Sequence, residues 1–265
     1  MPALYHWEPN TFYLKPLIAL HEKGVRFSSH YIDPTATAFD IRPDCLDASI
    51  EVLNNPEREG PMLIESGEVI CGSFFMLEFI ADFYPGPELA PRDPMLYYRI
   101  QEIGQNLGVQ LATLVNPLGC ERYLLPKLRK RDAVQLNAAL SAMEPVERRH
   151  VWQAVLDLEG NTQEFARLHS KLAGSLQEIE SLLDASDWLV GEDYSIADIE
   201  VFSMIHSLPV LTPELLHPGC TPKIVSFLQR MQSRPAVRAA LAMSRTGHPE
   251  RCFVPGIEPS RWLGL

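Results

Sequence analysis

The chain has 265 residues, with 34 acidic against 23 basic side chains and a net charge of −11. That excess argues against a nucleic-acid backbone as partner, and the densest basic run, Leu128-Arg129-Lys130-Arg131, reads as a solvated helix end. Hydrophobic residues at 46% and charged ones at 22% describe a globular chain of one to two domains.

From the N-terminus, Met1 to His6 lacks the basic-then-apolar order of a signal peptide, and no apolar run approaches the length of about eighteen that suggests a membrane span. Ala3 to Trp7 reads as a first strand. Leu14 to Lys23 has apolar residues at 14, 17, 18 and 20 and ends at Gly24, which predicts a helix with a glycine C-cap. Val25 to Ile32 reads as a second strand, and residues 35 to 55 as a weakly patterned connection. Met62 to Glu65 and Glu68 to Cys71 then read as strands of a hairpin turned at Ser66-Gly67. Ser73 opens an apolar helix that runs to about Tyr84.

Pro85-Gly86-Pro87, Pro91 and Pro94 mark a linker, and beyond it the pattern is helical to about residue 243. The predicted organisation is an α/β domain over 1–84, a linker over 85–94, an all-α domain over 95–243 and an extension over 244–265, in which Trp262 docks on the surface. No internal repeat or low-complexity segment is found.

The five cysteines, Cys45, Cys71, Cys120, Cys220 and Cys252, form no C-x-x-C motif. No metal or dithiol centre is predicted, and a reduced, cytoplasmic setting is expected. Cys71, just ahead of a helix, would gain from the helix dipole as a thiolate, although a buried strand cysteine reads as well. In the helical half, Ser195-Ile196-Ala197-Asp198 has the S-x-x-D spacing of a capping box, and Tyr194 is placed to staple onto Ile199.

The segment Asn54 to Ser73 carries the most functional information. Pro61 donates no ladder hydrogen bond, so it belongs at a strand start or an edge, beside backbone that an extended ligand can pair with. Ser73 and the first-turn N–H groups of its helix offer an anion pocket. In this order, a proline before a β-hairpin and a serine-led helix, the segment resembles the thioredoxin-like βαβ-ββα half of a glutathione transferase. Asp187 to Ile199 resembles the folding motif in the helical domain of that family, and Arg234-Pro235 fits it too.

The resemblance implies a thioredoxin-like domain followed by an all-α domain, and glutathione as co-substrate. It implies that Pro61 is a cis-proline, that Gly60 pairs with the cysteinyl backbone of glutathione, and that Ser73 holds the γ-glutamyl carboxylate. Arg42 is the candidate cation for the glycine carboxylate. A narrower likeness runs through Tyr5, Pro9, Leu14-Lys15-Pro16-Leu17, Glu22-Lys23-Gly24, Asp33-Pro34, Arg92-Asp93-Pro94 and Arg122-Tyr123. These residues are similar to the bacterial β-etherases, transferases that cleave β-aryl ethers in lignin-derived aromatics.

Such chemistry needs a thiolate, and a free thiol ionises only near pH 8.5, so a donor beside the sulfur is required. The candidates are Tyr13, Thr11 and Asn10, each of which also reads as a helix cap or as packing. Trp7, Phe12, Asn116, Tyr123 and Trp152 are the candidate aromatic-substrate pocket, expected between the two domains. The chain departs from the family in three places. Gly72 stands where an acid precedes the serine, Tyr13 where a serine is usual, and Phe12 where an asparagine is usual. Three readings follow: a β-etherase or β-etherase subunit, as a homodimer or a heterodimer; a weakened or non-catalytic subunit of a heterodimer with a related transferase; or a solitary relative of the fold that has lost glutathione.

Overall fold

A computed structural model of the chain describes residues 1–39 and 60–256. Arg42 and Trp262 lie outside the described residues. Four strands form one sheet: β1 (Ala3–His6), β2 (Ser28–Tyr31), β3 (Met62–Glu65) and β4 (Glu68–Cys71), in the order β2-β1-β3-β4. β1 and β2 run parallel because helix α1 (Thr11–Glu22) crosses between them. β3 is antiparallel to both β1 and β4. The hairpin turn takes φ 53° at Ser66 and 86° at Gly67, the left-handed pair that a two-residue turn requires.

Three boundaries differ from the sequence reading. α1 starts at Thr11 rather than Leu14, and every residue from Thr11 to Leu20 is buried. A helix covered all round has no polar stripe to mark its beginning. β2 starts at Ser28 rather than Val25, because the Val25 amide is spent closing α1 on the Leu20 carbonyl at 3.0 Å. Within the connection, α2 (Pro34–Phe39) forms behind Asp33, whose carboxylate accepts from the Thr35 amide and hydroxyl. A helix of six residues is too short to show a period.

Helix α3 (Ser73–Phe83) follows β4. The helical half opens with α4 (Pro94–Glu102), α5 (Val109–Gly119) and α6 (Leu125–Leu128), joined by π-helical turns at Ile103–Gly108 and Cys120–Leu124. Pro94 is the first residue of α4 and not linker: Asp93 accepts from the Met95 and Leu96 amides at 2.8 and 3.0 Å, leaving the proline where no N–H is needed. Then come α7 (Ala133–Ala142), α8 (Val146–Asp157), α9 (Thr162–Leu182), α10 (Ile196–Ile205), α11 (Leu208–Leu211), α12 (Pro222–Ser233) and α13 (Pro235–Leu241). The capping box on α10 is present as predicted.

α1 is the centrepiece, packed against α3, α10 and α13. Arg234 forks onto Glu22 of α1 at 2.7 and 3.1 Å and lies 3.5 Å from the centre of the Tyr194 ring. Tyr194, expected to staple onto Ile199, has its ring against this guanidinium and Trp188. Past α13 the chain turns back over the N-terminal half through a short 3-10 turn at Pro249–Arg251. Among the described residues no helix is long and apolar enough to cross a membrane. The architecture is a four-stranded α/β half followed by an all-helical half.

Candidate functional site

The β1–α1 loop, residues 7–10, is held by the returning strap, residues 244–256. Glu8 is the anchor. Its carboxylate accepts from the Tyr31 hydroxyl at 2.7 Å, the Arg245 and Thr246 amides at 2.9 and 3.2 Å, the Thr246 hydroxyl at 2.9 Å, and the Ser244 hydroxyl. Burial pushes the Glu8 carboxyl up, and these hydrogen bonds outweigh it, so its pKa lies below the ordinary value. The same contact raises the Tyr31 phenol, through burial and then through Glu8.

Asn10 is similarly committed. Its amide nitrogen donates to the Cys252 carbonyl at 2.9 Å, and its oxygen lies 2.7 Å from Nε2 of His206. Burial lowers His206 to about 4, so it is neutral at pH 7 and donates Nε2–H to Asn10. Asn10 occupies the N-cap position of α1 without a side-chain cap bond. It therefore clamps the loop to α10 and the strap. Thr11 follows at φ 44°, a left-handed conformation that a β-branched residue adopts only under local strain.

Tyr13 and Gly60 are brought together. A methyl group built on Gly60 would lie 3.0 Å from Cε1 of Tyr13, so the phenol ring stands over the backbone that enters β3. The Gly60-Pro61 bond is cis, and Pro61 directly precedes β3, the strand-start position. Trp7 packs edge-on against Tyr13, with ring centres 6.1 Å apart.

The Ser73 hydroxyl is engaged by a buried lysine. The N-cap of α3 is Gly72, at φ 84°, and Ser73 is the first helical residue, fully buried. Its hydroxyl oxygen accepts from Nζ of Lys15 at 2.9 Å, and the same ammonium lies 2.7 Å from Oε1 of Glu200 on α10. Both charged side chains are buried, and room for the carboxylate comes from Gly108, where a methyl would meet Glu200 at 2.3 Å. Gly72 is equally constrained. Any side chain there would need its positive φ and would meet the Phe75 ring at 2.8 Å, which accounts for the missing acid.

The expected substrate-pocket residues are divided. Phe12 lies under Gly256 of the strap, where a methyl would come within 2.4 Å of its ring, and Tyr123 stacks on Phe253 with centres 6.0 Å apart. Trp152 is buried in the helical core, and Asn116 lines a cavity of about 410 Å³ between α5, α8, α9 and the strap. Glu8, Lys15 and Glu200 were given no role from the sequence, and the strap was expected only as an extension. Lys15 and Glu200 each carried a signal, as a charge inside a largely apolar helix.

Comparison with known proteins agrees with this architecture. Residues 148–244 match the family model for the glutathione S-transferase C-terminal domain. The chain is 25% identical over 249 residues to protein LigF of Sphingobium sp., covering 91% of this chain and 93% of that protein. The crystal structure of the β-etherase LigF from Sphingobium sp. superposes with a TM-score of 0.80 at 23% identity, covering 92% of this chain and 99% of the other. A glutathione S-transferase from Methylobacterium radiotolerans, in complex with glutathione sulfonate, gives 0.62 at 23% identity, with 91% and 94% covered. Residues 148–244 are thus matched by the glutathione S-transferase C-terminal domain model, and the whole chain shares the fold of the β-etherase LigF and of solved glutathione transferases.

Proposed function

We propose that the chain is a glutathione-dependent transferase of the β-etherase type, with residues 1–84 holding glutathione and 95–243 contributing the aromatic site. The observation that carries this is the Tyr13 ring standing over Gly60. It sets the residue that replaces the usual serine beside the backbone expected to pair with the cysteinyl part of glutathione. The likeness to LigF over nine-tenths of the chain supports the substrate class, a small aromatic ether.

In this reading the Tyr13 hydroxyl donates to the glutathione sulfur and favours the thiolate. The thiolate attacks the carbon bearing the ether oxygen. A C–S bond forms, the C–O bond breaks, and the leaving phenolate takes up a proton. Gly60 and Pro61 align the cysteinyl backbone. The first-turn N–H groups of α3 have no acceptor within their own helix and suit the γ-glutamyl carboxylate. Arg42, from outside the described residues, remains the proposed partner of the glycine carboxylate. Asn10 is assigned to the clamp and Thr11 to the loop, so Tyr13 is the residue backed for thiol activation.

The partner subunit is proposed to cover Val69, Phe75, Phe83, Met95 and Tyr98, large apolar side chains exposed on β4, α3 and α4. A cytoplasmic setting is part of the same proposal. The second reading, a supporting subunit of a heterodimer, is favoured by Ser73, whose hydroxyl already serves Lys15.

Titration of the purified chain with glutathione, and turnover of a β-aryl ether by the native chain and by Tyr13→Phe, test the reading. We expect binding, turnover, and a loss in kcat of about 100-fold in the variant, with the thiolate absorbance titrating at higher pH. Binding without turnover, with activity restored only by a related transferase, would establish the supporting subunit.

A further inference from the structure

We propose that the cavity between α5, α8, α9 and the strap is a binding site for a neutral aromatic hydroxyl compound, with Asn116 as its recognising residue. Its catalytic use rests on the transferase reading above; its ligand binding does not. The volume of about 410 Å³ is that of a small-ligand site. Ala112, Val151, Val155, Leu158 and Leu168 give it aliphatic walls.

One unpartnered polar group breaks that lining. Asn116 is 4% exposed, and neither its amide nitrogen nor its amide oxygen has a hydrogen-bond partner among the described residues. A buried amide with neither bond made is costly, and a ligand that supplies both removes the cost. Beside it, Thr113 also lines the cavity, with its hydroxyl committed to the Gln110 carbonyl at 2.8 Å. The Asn116 amide therefore offers a donor group and an acceptor side by side. A phenolic hydroxyl, which donates once and accepts, matches that set on an otherwise apolar body.

Charge at the rim excludes an anion. Arg167 is the cation lining the cavity, and it is paired with Glu164 on the same helix. Glu147 and the His150 ring complete the rim, so a carboxylate entering here would meet acidic side chains with the guanidinium already committed.

The position also differs from the expected one. The cavity lies within the helical half, not between the two halves, and Pro255 and Gly256 form its wall toward α1. Gly256 is pressed on Phe12, the neighbour of Tyr13, so this contact separates the chamber from the Tyr13–Gly60 corner. A ligand seated on Asn116 has the strap between itself and that corner.

The test is binding of 4-methylphenol and of toluene, its hydroxyl-free counterpart, to the full chain without glutathione, read by ligand-observed NMR. For the native chain we expect saturable 4-methylphenol binding. Asn116→Leu, near-constant in volume, should weaken 4-methylphenol at least tenfold and leave toluene unweakened. Ala154→Trp, at the exposed mouth, should abolish both. No 4-methylphenol binding to the native chain, or an unchanged affinity in Asn116→Leu, would overturn the proposal. If Ala154→Trp fails to fold, the Asn116→Leu pair of titrations decides alone. A parallel glutathione titration keeps the readings apart: its failure with 4-methylphenol binding intact overturns the transferase reading only.

Discussion

Two serines in this chain each stand before an apolar helix, and the fold uses them in opposite ways. Ser195 sits at the N-cap of α10 in extended backbone, φ −144°, and its partner Asp198 is three residues along. The Asp198 carboxylate returns to the Ser195 amide at 2.8 Å and to the Leu189 amide at 2.9 Å. Ser73 sits one residue inside α3, because Gly72 makes the turn, and its hydroxyl serves a lysine 58 residues away in sequence. The first serine organises its own helix end. The second joins a charge network running from α3 through α1 to α10, so its surroundings depend on how the two halves of the molecule meet.

Breaking the long-range network is expected to cost most. Glu200→Leu leaves Lys15 buried with Ser73 as a neutral partner, and removing one member of such a pair typically costs about 3–5 kcal/mol. The double variant Lys15→Met with Glu200→Leu should recover most of that loss, because no charge is left unpaired. Urea unfolding of the three chains measures both steps. A double variant as unstable as the single one would show that the pair is not the unit we describe.

The local network should respond less, and with a pH signature of its own. Burial raises the Asp198 carboxyl to about 7, against the backbone and Ser195 hydrogen bonds that pull it down. A folded pKa above the unfolded carboxylate value means the folded state holds the extra proton. This contribution is complete below about pH 4 and is lost as pH rises toward 7. Asp198→Asn should therefore flatten the stability profile across that window, whereas Asp198→Ala should cost about 1–3 kcal/mol through the amides it strands. A profile unchanged in Asp198→Asn would place the titration elsewhere.

This contrast also explains what the sequence could reveal. The capping box and the Ser66-Gly67 turn are written within four residues, so spacing alone exposes them. Ser73 reads as a helix opener because nothing nearby in sequence mentions Lys15, and nothing near Lys15 mentions Glu200. Glu8 is the same case at greater range: its partners Ser244, Arg245 and Thr246 lie in the last part of the chain. The family order of strands and helices was legible because each element carries its own pattern. The partners of the candidate site residues were not, because they lie far apart in sequence, where side chains choose partners by packing. Asn10 shows the consequence. By position it reads as a thiol donor or a helix cap, and in the fold both ends of its amide are used to hold α10 and the strap.

The smallest expected effects decide what Ser73 is for. Ser195→Ala removes a cap interaction and should cost about 1 kcal/mol with no effect on glutathione affinity. Ser73→Ala removes one acceptor from Lys15, which keeps Glu200, so a similar loss of about 1 kcal/mol is expected. The two variants then separate in binding. A carboxylate bound at the first-turn N–H groups of α3 would lie beside this hydroxyl. If Ser73 serves both the lysine and glutathione, Ser73→Ala weakens the tripeptide while Ser195→Ala does not. If affinity is the same in both, Ser73 is a structural serine, and the γ-glutamyl carboxylate, where it binds, rests on the backbone of α3.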